Sequence, residues 1–349
     1  MAPARAVSRH GEAVVTGRGT LPLRAGALVA LAAIPLAAMA MGESFYLAFG
    51  ARVLIYAIAA VGLNIALGFG GMVSLGHALF LGLGMYSVAL PAHFGIDSGW
   101  IHLALTVASC ALAGTLTGWI SLRTAGIAFI MITLAFAQMG FFVLVSLKQF
   151  GGDDGLAVAA PSNFGRFGLD SPLAVYIAAF AMLLGLLIWT DRLRQSSFGM
   201  ALRACRQSGR RAASLGIMPR RCLLAAYVLS AVICGIAGLL LANLNAYVSP
   251  STMSWFVSGE LIVMVVLGGI GSAFGPAVGA LVYLGAEEVL KSMTGHWMAV
   301  FGLLIFAMAL VGRPAAARLA VDWSRRPRAV GANRRVLSGT TGTAGTERK

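Results

Sequence analysis

From Ala25 onward the chain returns repeatedly to nearly uncharged apolar stretches separated by glycine, proline or a few charges. Many approach the length of about 20 residues that a helix needs to cross the hydrocarbon layer of a bilayer. Backbone N–H and C=O groups find no water in that layer, so such a run must pair them within itself, as an α-helix does. Apolar residues make up 59% of the 349 residues and charged ones 11%, against roughly 45–50% and 25% in soluble domains. A soluble core of this size could not use so much apolar surface. The expected fold class is therefore an all-α polytopic membrane protein with about ten transmembrane helices. Their expected positions are Ala25–Met41, Phe45–Gly68, Met72–Ala92, Trp100–Leu122 and Ala125–Leu147, then Pro172–Thr190, Cys222–Asn243, Ser254–Leu267, Ala273–Val289 and Trp297–Val311. No soluble catalytic domain fits between them.

Lys and Arg accumulate in cytoplasmic loops of membrane proteins, which gives this parse an independent check. With the N-terminus inside, one side receives Arg123, then Arg192, Arg194, Arg203, Arg206, Arg210, Arg211, Arg220 and Arg221, and finally Arg325, Arg326, Arg328, Arg334 and Arg335. The other side receives Glu43, Asp97, Asp153, Asp154 and Asp170 against Lys148 and Arg166, with Arg52 and Lys291 as isolated basic residues. An even number of spans with both termini cytoplasmic fits this pattern. Three segments follow: a basic N-terminal stretch (1–24), a transmembrane domain (25–312) and a basic tail (313–349) whose composition predicts disorder. Arg5, Arg9, Arg18 and Arg24 before Ala25–Met41 imitate a signal peptide, but the run is long and further spans follow, so it reads as an uncleaved first helix. The clustering of basic residues at span ends accounts for a net charge of +14 with membrane lipid as the partner, and nucleic acid is not expected.

The longest inner loop, 191–221, contains Gly199–Ile217, and placed on a helix it sets Arg203, Arg206 and Arg210 on one face with Leu202, Cys205 and Ala212 leaning towards another. Gly209 should split it into two short helices. Such an element can lie on the membrane with its arginines on lipid phosphates, or transmit force if a soluble motor grips it. The long outer loop from Lys148 to Ser171 carries Gly151-Gly152-Asp153-Asp154-Gly155-Leu156 and suits an extracytoplasmic partner. Gly70-Gly71-Met72-Val73-Ser74 and Gly268-Gly269-Ile270-Gly271-Ser272 echo one another, with Gly275 just beyond, either by duplication or because tight turns recruit glycine. Asn64, Ser74, His77, Gln138, Asn243, Asn245 and Glu260 are polar positions within apolar runs. They mark either a pathway or gate or hydrogen bonds that fix helix packing. Glu287 and Glu288 pair most simply with Lys291. Cys110, Cys205, Cys222 and Cys234 lack metal or disulfide spacing, and His93, His102 and His296 lack it too, so no metal and no cofactor is expected. No phosphate-binding Gly-x-x-x-x-Gly-Lys-Ser/Thr loop occurs, and no catalytic constellation, so the chain should be no enzyme and any ATP hydrolysis must sit on separate subunits.

Gly199-Met200-Ala201-Leu202-Arg203-Ala204, Arg206 and Ala212-Ala213-Ser214-Leu215-Gly216-Ile217 resemble the coupling loop of branched-chain amino-acid ABC permeases. Ala60 to Ala78 is similar to that family's early glycine-rich segment, and Tyr247-Val248-Ser249-Pro250 with Val265 to Pro276 to its late one, all in order between about Tyr56 and Lys291. The extended N-terminus and the Gly-Gly-x-x-Gly-Leu loop resemble one of two paralogues that pair. The resemblance implies a multi-pass subunit of the bacterial inner membrane, a paralogous permease subunit as heterodimer partner, two cytoplasmic ATPase subunits and an extracytoplasmic substrate-binding protein. It also implies ATPase coupling through Gly199, Leu202, Arg203, Arg206, Ala212, Ala213, Leu215 and Gly216. Gln207 and Gly209 stand where the family commonly has acidic residues. Urea, short amides or sugars are alternative substrates, and an ion-coupled secondary transporter is the alternative from another class, with Glu260 as its best-placed carboxylate.

Overall fold

The run from Ser44 to Asn64 has no proline and one charged side chain, and it forms α1, whose second half is buried throughout. A computed structural model of the chain describes residues 44–165, 168–293, 295–296, 298–303 and 306. The expected first span, most of the last one and both terminal segments lie outside these residues. After α1 come α2 (His77–His93), α3 (Gly99–Ser121), α4 (Ile127–Ser146), α5 (Pro172–Gln195), α6 (Ser197–Gln207), α7 (Gly209–Ser214), α8 (Pro219–Asn245), α9 (Trp255–Gly268) and α10 (Gly275–Met293). Two two-residue strands, β1 (Leu156–Ala157) and β2 (Tyr247–Val248), pair antiparallel with Leu156 opposite Val248.

Among the described residues five helices are long and apolar enough to cross a membrane: Phe45–Phe69, Gly99–Ser121, Ile127–Ser146, Pro172–Gln195 and Pro219–Asn245. Helix α9 lies within one residue of the expected Ser254–Leu267 span and has the same length. Its 14 residues rise only about 21 Å, and a 3-10 turn at Pro250–Met253 precedes it. The expected Met72–Ala92 span is corrected, because Met72–Gly76 is not helical and α2 begins at His77. The physical reason lies just upstream. Ile65–Phe69 winds as a π-helix, with Gly70 N bonded to Ile65 O at 3.2 Å, and Gly71 then takes a φ of +73° that turns the chain out of the helix.

Helix α1 packs against α5, α8, α9 and α10, and α8 packs against α1, α2 and α3. Burial follows this arrangement: 94% of the α1 span is buried against 17% of α4. Between apolar helices in lipid, close approach and van der Waals contact replace the hydrophobic drive, which favours small residues at crossings. The α2–α8 crossing is of that kind. A Cβ on Gly84 would overlap the Gly235 carbonyl oxygen, and one on Gly238 would overlap that of Leu81.

The ends of α5 order the remaining pieces. Its 24 residues span about 36 Å, so loop 148–171 and segment 196–218 lie at opposite ends of the bundle. The pairing of β1 with β2, just beyond the end of α8, keeps loop 148–171 at the first of these ends.

Candidate functional site

Ser196 ends α5 and caps α6, its hydroxyl accepting from Gly199 N at 3.2 Å. The fold-back is tight: a Cβ on Gly199 would overlap the Leu193 carbonyl oxygen. Gly199, Leu202 and Cys205 form the buried stripe of α6. The expected split into two helices is present, and the break falls at Ser208, whose hydroxyl caps α7 through Arg211 N at 3.4 Å. Ala212 is buried, and Pro219 opens α8 at a position where its missing N–H costs nothing. On the far side an open apolar groove is lined by Ser197, Phe198, Met200, Ala201, Ala204 and Ile217. Met200, Ala213, Leu215, Gly216 and Met218 are exposed beside it, Leu215 by 77%.

The expected common face of Arg203, Arg206 and Arg210 is not what forms. Arg203 turns back, its Nη2 donating to Arg194 O at 3.0 Å at the end of α5 and its Nε to Gly199 O at 3.4 Å. Arg206 reaches in the same sense, Nη1 donating to Gly68 O in the π-helix. The break at Ser208 carries Arg210 onto α7, away from both. The helical-wheel placement missed this because helix C-termini leave carbonyls without intrahelical partners, and guanidinium groups are drawn to them.

Gly68 lies at a junction that joins distant parts of the sequence. Asn64 is fully buried; its Oδ1 accepts from Gly271 N at 3.0 Å and its Nδ2 donates to Ser272 O at 2.8 Å. The second glycine echo therefore docks on the π-helix that leads into the first, and the two are built differently. The first follows a π-helix. The second is a turn between α9 and α10, with Gly269 and Gly271 at positive φ and with Gly268 and Gly275 so close that a Cβ on either would overlap the other's carbonyl. Gly70 packs at the π-helix end against the Ala66 carbonyl.

Most expected pathway residues are engaged inside the bundle. Ser74 accepts from Gly76 N at 3.2 Å. His77, fully buried, bonds through Nε2 to Ser230 Oγ at 2.8 Å, and that hydroxyl donates to Gly62 O at 2.7 Å. A hydroxyl has one proton to give, so Nε2 of His77 is the donor in the first bond. Nearby, Ser258 Oγ accepts from Ala78 N and Thr133 Oγ1 from Leu75 N, binding the start of α2 to α9 and α4. Ser230, Ser258 and Thr133 went unnoticed in the sequence because serine and threonine are frequent in apolar helices.

Asn243 serves the other end of the bundle. Its Oδ1 accepts from Ser162 N at 2.7 Å, while Nδ2 donates to Leu239 O at 2.8 Å. His102, read from sequence only as a histidine near a span edge, holds the same loop, with Nδ1 to Ser162 Oγ at 2.7 Å and Nε2 to Ile96 O at 2.9 Å. Asn243→Leu would strand the buried Ser162 N–H, which costs roughly 1–3 kcal/mol. Faster proteolytic cleavage between Lys148 and Gly165 in detergent is the expected result, and an unchanged cleavage rate would show that the clamp does not hold the loop.

Gln138 and Glu260 remain half-buried. No hydrogen bond to the Gln138 amide forms among the described residues. Glu260 lies near Tyr283, Arg52, Glu287 and Lys291, and Lys291 pairs with Glu287 at 2.6 Å as expected. Polar groups thus collect where α1, α9 and α10 meet.

Residues 45–311 match the family described as the branched-chain amino acid transport system / permease component. The high-affinity branched-chain amino acid transport system permease protein LivM of Escherichia coli (strain K12) is 30% identical over 285 residues, covering 75% of this chain and 67% of that protein. LivH, the permease protein of the same name series in the same strain, is 27% identical over 287 residues, covering 74% of this chain and 92% of its own length. BraD of Pseudomonas aeruginosa, bearing the same description, is 26% identical over 288 residues, with 74% and 92% covered. No solved structure matches this chain.

Proposed function

Because this chain belongs to the family of permease components of branched-chain amino-acid transport systems, we propose that it is one of two paralogous membrane subunits of an ATP-driven, binding-protein-dependent importer of branched-chain amino acids. It is a membrane subunit and no enzyme. Two ATPases bind on the cytoplasmic side and a substrate receptor on the other, in the bacterial inner membrane, with about ten spans and both termini cytoplasmic. The observation that carries this reading is the α6–α7 segment. It is a compact amphipathic element gripped on one side by the bundle and open on the other as an apolar groove with Met200, Leu215 and Met218 beside it. A soluble partner that fills the groove moves the segment as one body.

Substrate movement then follows from alternating access. ATPase closure displaces α6 and α7, the displacement reaches α5 and α8 through their covalent ends, and the path opens to the other side. The half-buried Gln138 and Glu260 are the polar positions best placed to line that path, since Asn64, Ser74, His77 and Asn243 are consumed by packing.

Cross-linking tests the docking surface. A single cysteine at Leu215, in a chain whose Cys110, Cys205, Cys222 and Cys234 have been replaced, should form an adduct with the ATPase in at least one nucleotide state. Absence of an adduct in every state, in a complex that still imports leucine, would sink this placement. Uptake that survives an uncoupler and stops on ATPase deletion separates the reading from an ion-coupled transporter.

A further inference from the structure

Arg206 bears on how motion leaves the coupling segment. Its guanidinium donates to Gly68 O, and its side-chain stem lies against Gly71, where a Cβ would come within 2.8 Å of Arg206 Cγ. A φ of +73° at Gly71, which side chains other than glycine rarely accept, lets the stem lie there. Gly68 belongs to the π-helix and sits over Asn64, whose side chain holds Gly271 N and Ser272 O. Direct contacts thus run from α6 through Arg206, Gly68 and Asn64 to the turn between α9 and α10. These elements are far apart in sequence, and α6 reaches them without passing through its covalent neighbours α5 and α8. Arg203 meanwhile ties the other side of α6 to the end of α5.

We propose that Arg206 is a positioning residue that carries displacement of α6 into the π-helical end of α1 and, through Asn64, into the α9–α10 turn. This inference rests on the reading of α6–α7 as the coupling segment, and it assigns Arg206 to the membrane side of that segment and not to the ATPase contact. A π turn suits such a joint. It holds about one residue more than an α turn and recurs at functional sites, and while the Ile65, Ala66 and Leu67 carbonyls accept from backbone N–H groups, the Gly68 carbonyl accepts from Arg206. The arginine supplies donors in a fixed plane to one of those carbonyls, and a lysine cannot reproduce that geometry.

The test uses the full transporter, with its ATPases, partner permease and receptor, in proteoliposomes. Arg206→Met keeps the stem and removes the donors. It should assemble with the ATPases at normal stoichiometry and hydrolyse ATP, while leucine imported per ATP hydrolysed falls roughly tenfold or more, the scale of a lost coupling free energy. Arg206→Lys should recover part of that ratio. Arg206→Gln, whose amide nitrogen ends two bonds short of the Arg206 Nη1 position, should lower the ratio as Arg206→Met does, and it decides the matter if Arg206→Met fails to accumulate. A wild-type ratio in Arg206→Met overturns the proposal, and so does loss of ATPase binding, which would make Arg206 a docking residue. If the wild-type complex shows no ATP-dependent uptake, the coupling reading itself has failed, and that result is distinct from either.

Discussion

Gly84→Leu is expected to leave almost no folded protein in the membrane. At the α2–α8 crossing a Cβ on Gly84 would overlap the Gly235 carbonyl oxygen, and one on Gly238 the Leu81 carbonyl oxygen. Both obstacles are backbone atoms of helices, which cannot rotate aside as a side chain can. Overpacking of a well-filled core costs roughly 1–3 kcal/mol where neighbours can adjust. A leucine against a fixed backbone should exceed that and force the helices apart along the largest helix–helix contact among the described residues. Tightness here is also what holds the helices together, since the surrounding lipid is as apolar as the side chains it would replace. The measurement is the amount and midpoint temperature of monodisperse protein after heating in detergent. Gly84→Ala should already lower the midpoint, and a wild-type midpoint for Gly84→Leu would show that the crossing is looser than described.

Asn64→Leu should produce the second largest effect, and of a different kind. The substitution keeps the branched shape at a somewhat larger volume and removes both hydrogen bonds, stranding Gly271 N–H and Ser272 C=O at a partly buried turn. Each unsatisfied group costs roughly 1–3 kcal/mol. The helices themselves can still form and insert, because α1 owes nothing of its internal pairing to this side chain. The expected result is protein at near-normal abundance with a lowered melting midpoint and little transport, as the α9–α10 turn loses its tie to the π-helix. Initial leucine uptake normalised to subunit in the membrane reads this out. Uptake and midpoint both equal to wild type would show that the tie is dispensable.

Positions of α1, α3, α4, α5 and α8 were legible from apolar length alone, and their observed ends lie within a few residues of those expected, except where α5 and α8 run a few residues further towards the α6–α7 segment. Length carries this information because a bilayer imposes it. The interruption at Met72–Gly76 was not legible, since Met72, Val73 and Leu75 continue the apolar run and hydropathy is blind to a π turn. The glycines at 68, 70, 71 and 76 were the available signal. Arg203 and Arg206 were placed wrongly for a related reason. Their partners are backbone carbonyls of Arg194 and Gly68, and no side chain in the sequence announces a carbonyl acceptor. Among the polar residues, pathway and packing demand the same residue types. Asn64 and Asn243 could be assigned to packing only once Gly271, Ser272 and Ser162 were seen beside them.

Backbone-to-backbone contact at Gly84, Gly235 and Gly238 also sets where the molecule can bend. Helices α2 and α8 are locked into a stiff pair, because sliding one past the other would drive the Leu81 and Gly235 carbonyl oxygens into Gly238 and Gly84. Compliance is left to the one-residue surplus of the π-helix and to the sparsely packed α4, since the hairpin of α9 and α10 has close backbone contacts of its own at Gly268, Gly275 and Gly279. A lever needs a fulcrum that does not give. The glycine crossing provides one, so that the proposed push on α6 is expected to emerge as rotation of the α9–α10 hairpin as one piece and not as general loosening of the bundle.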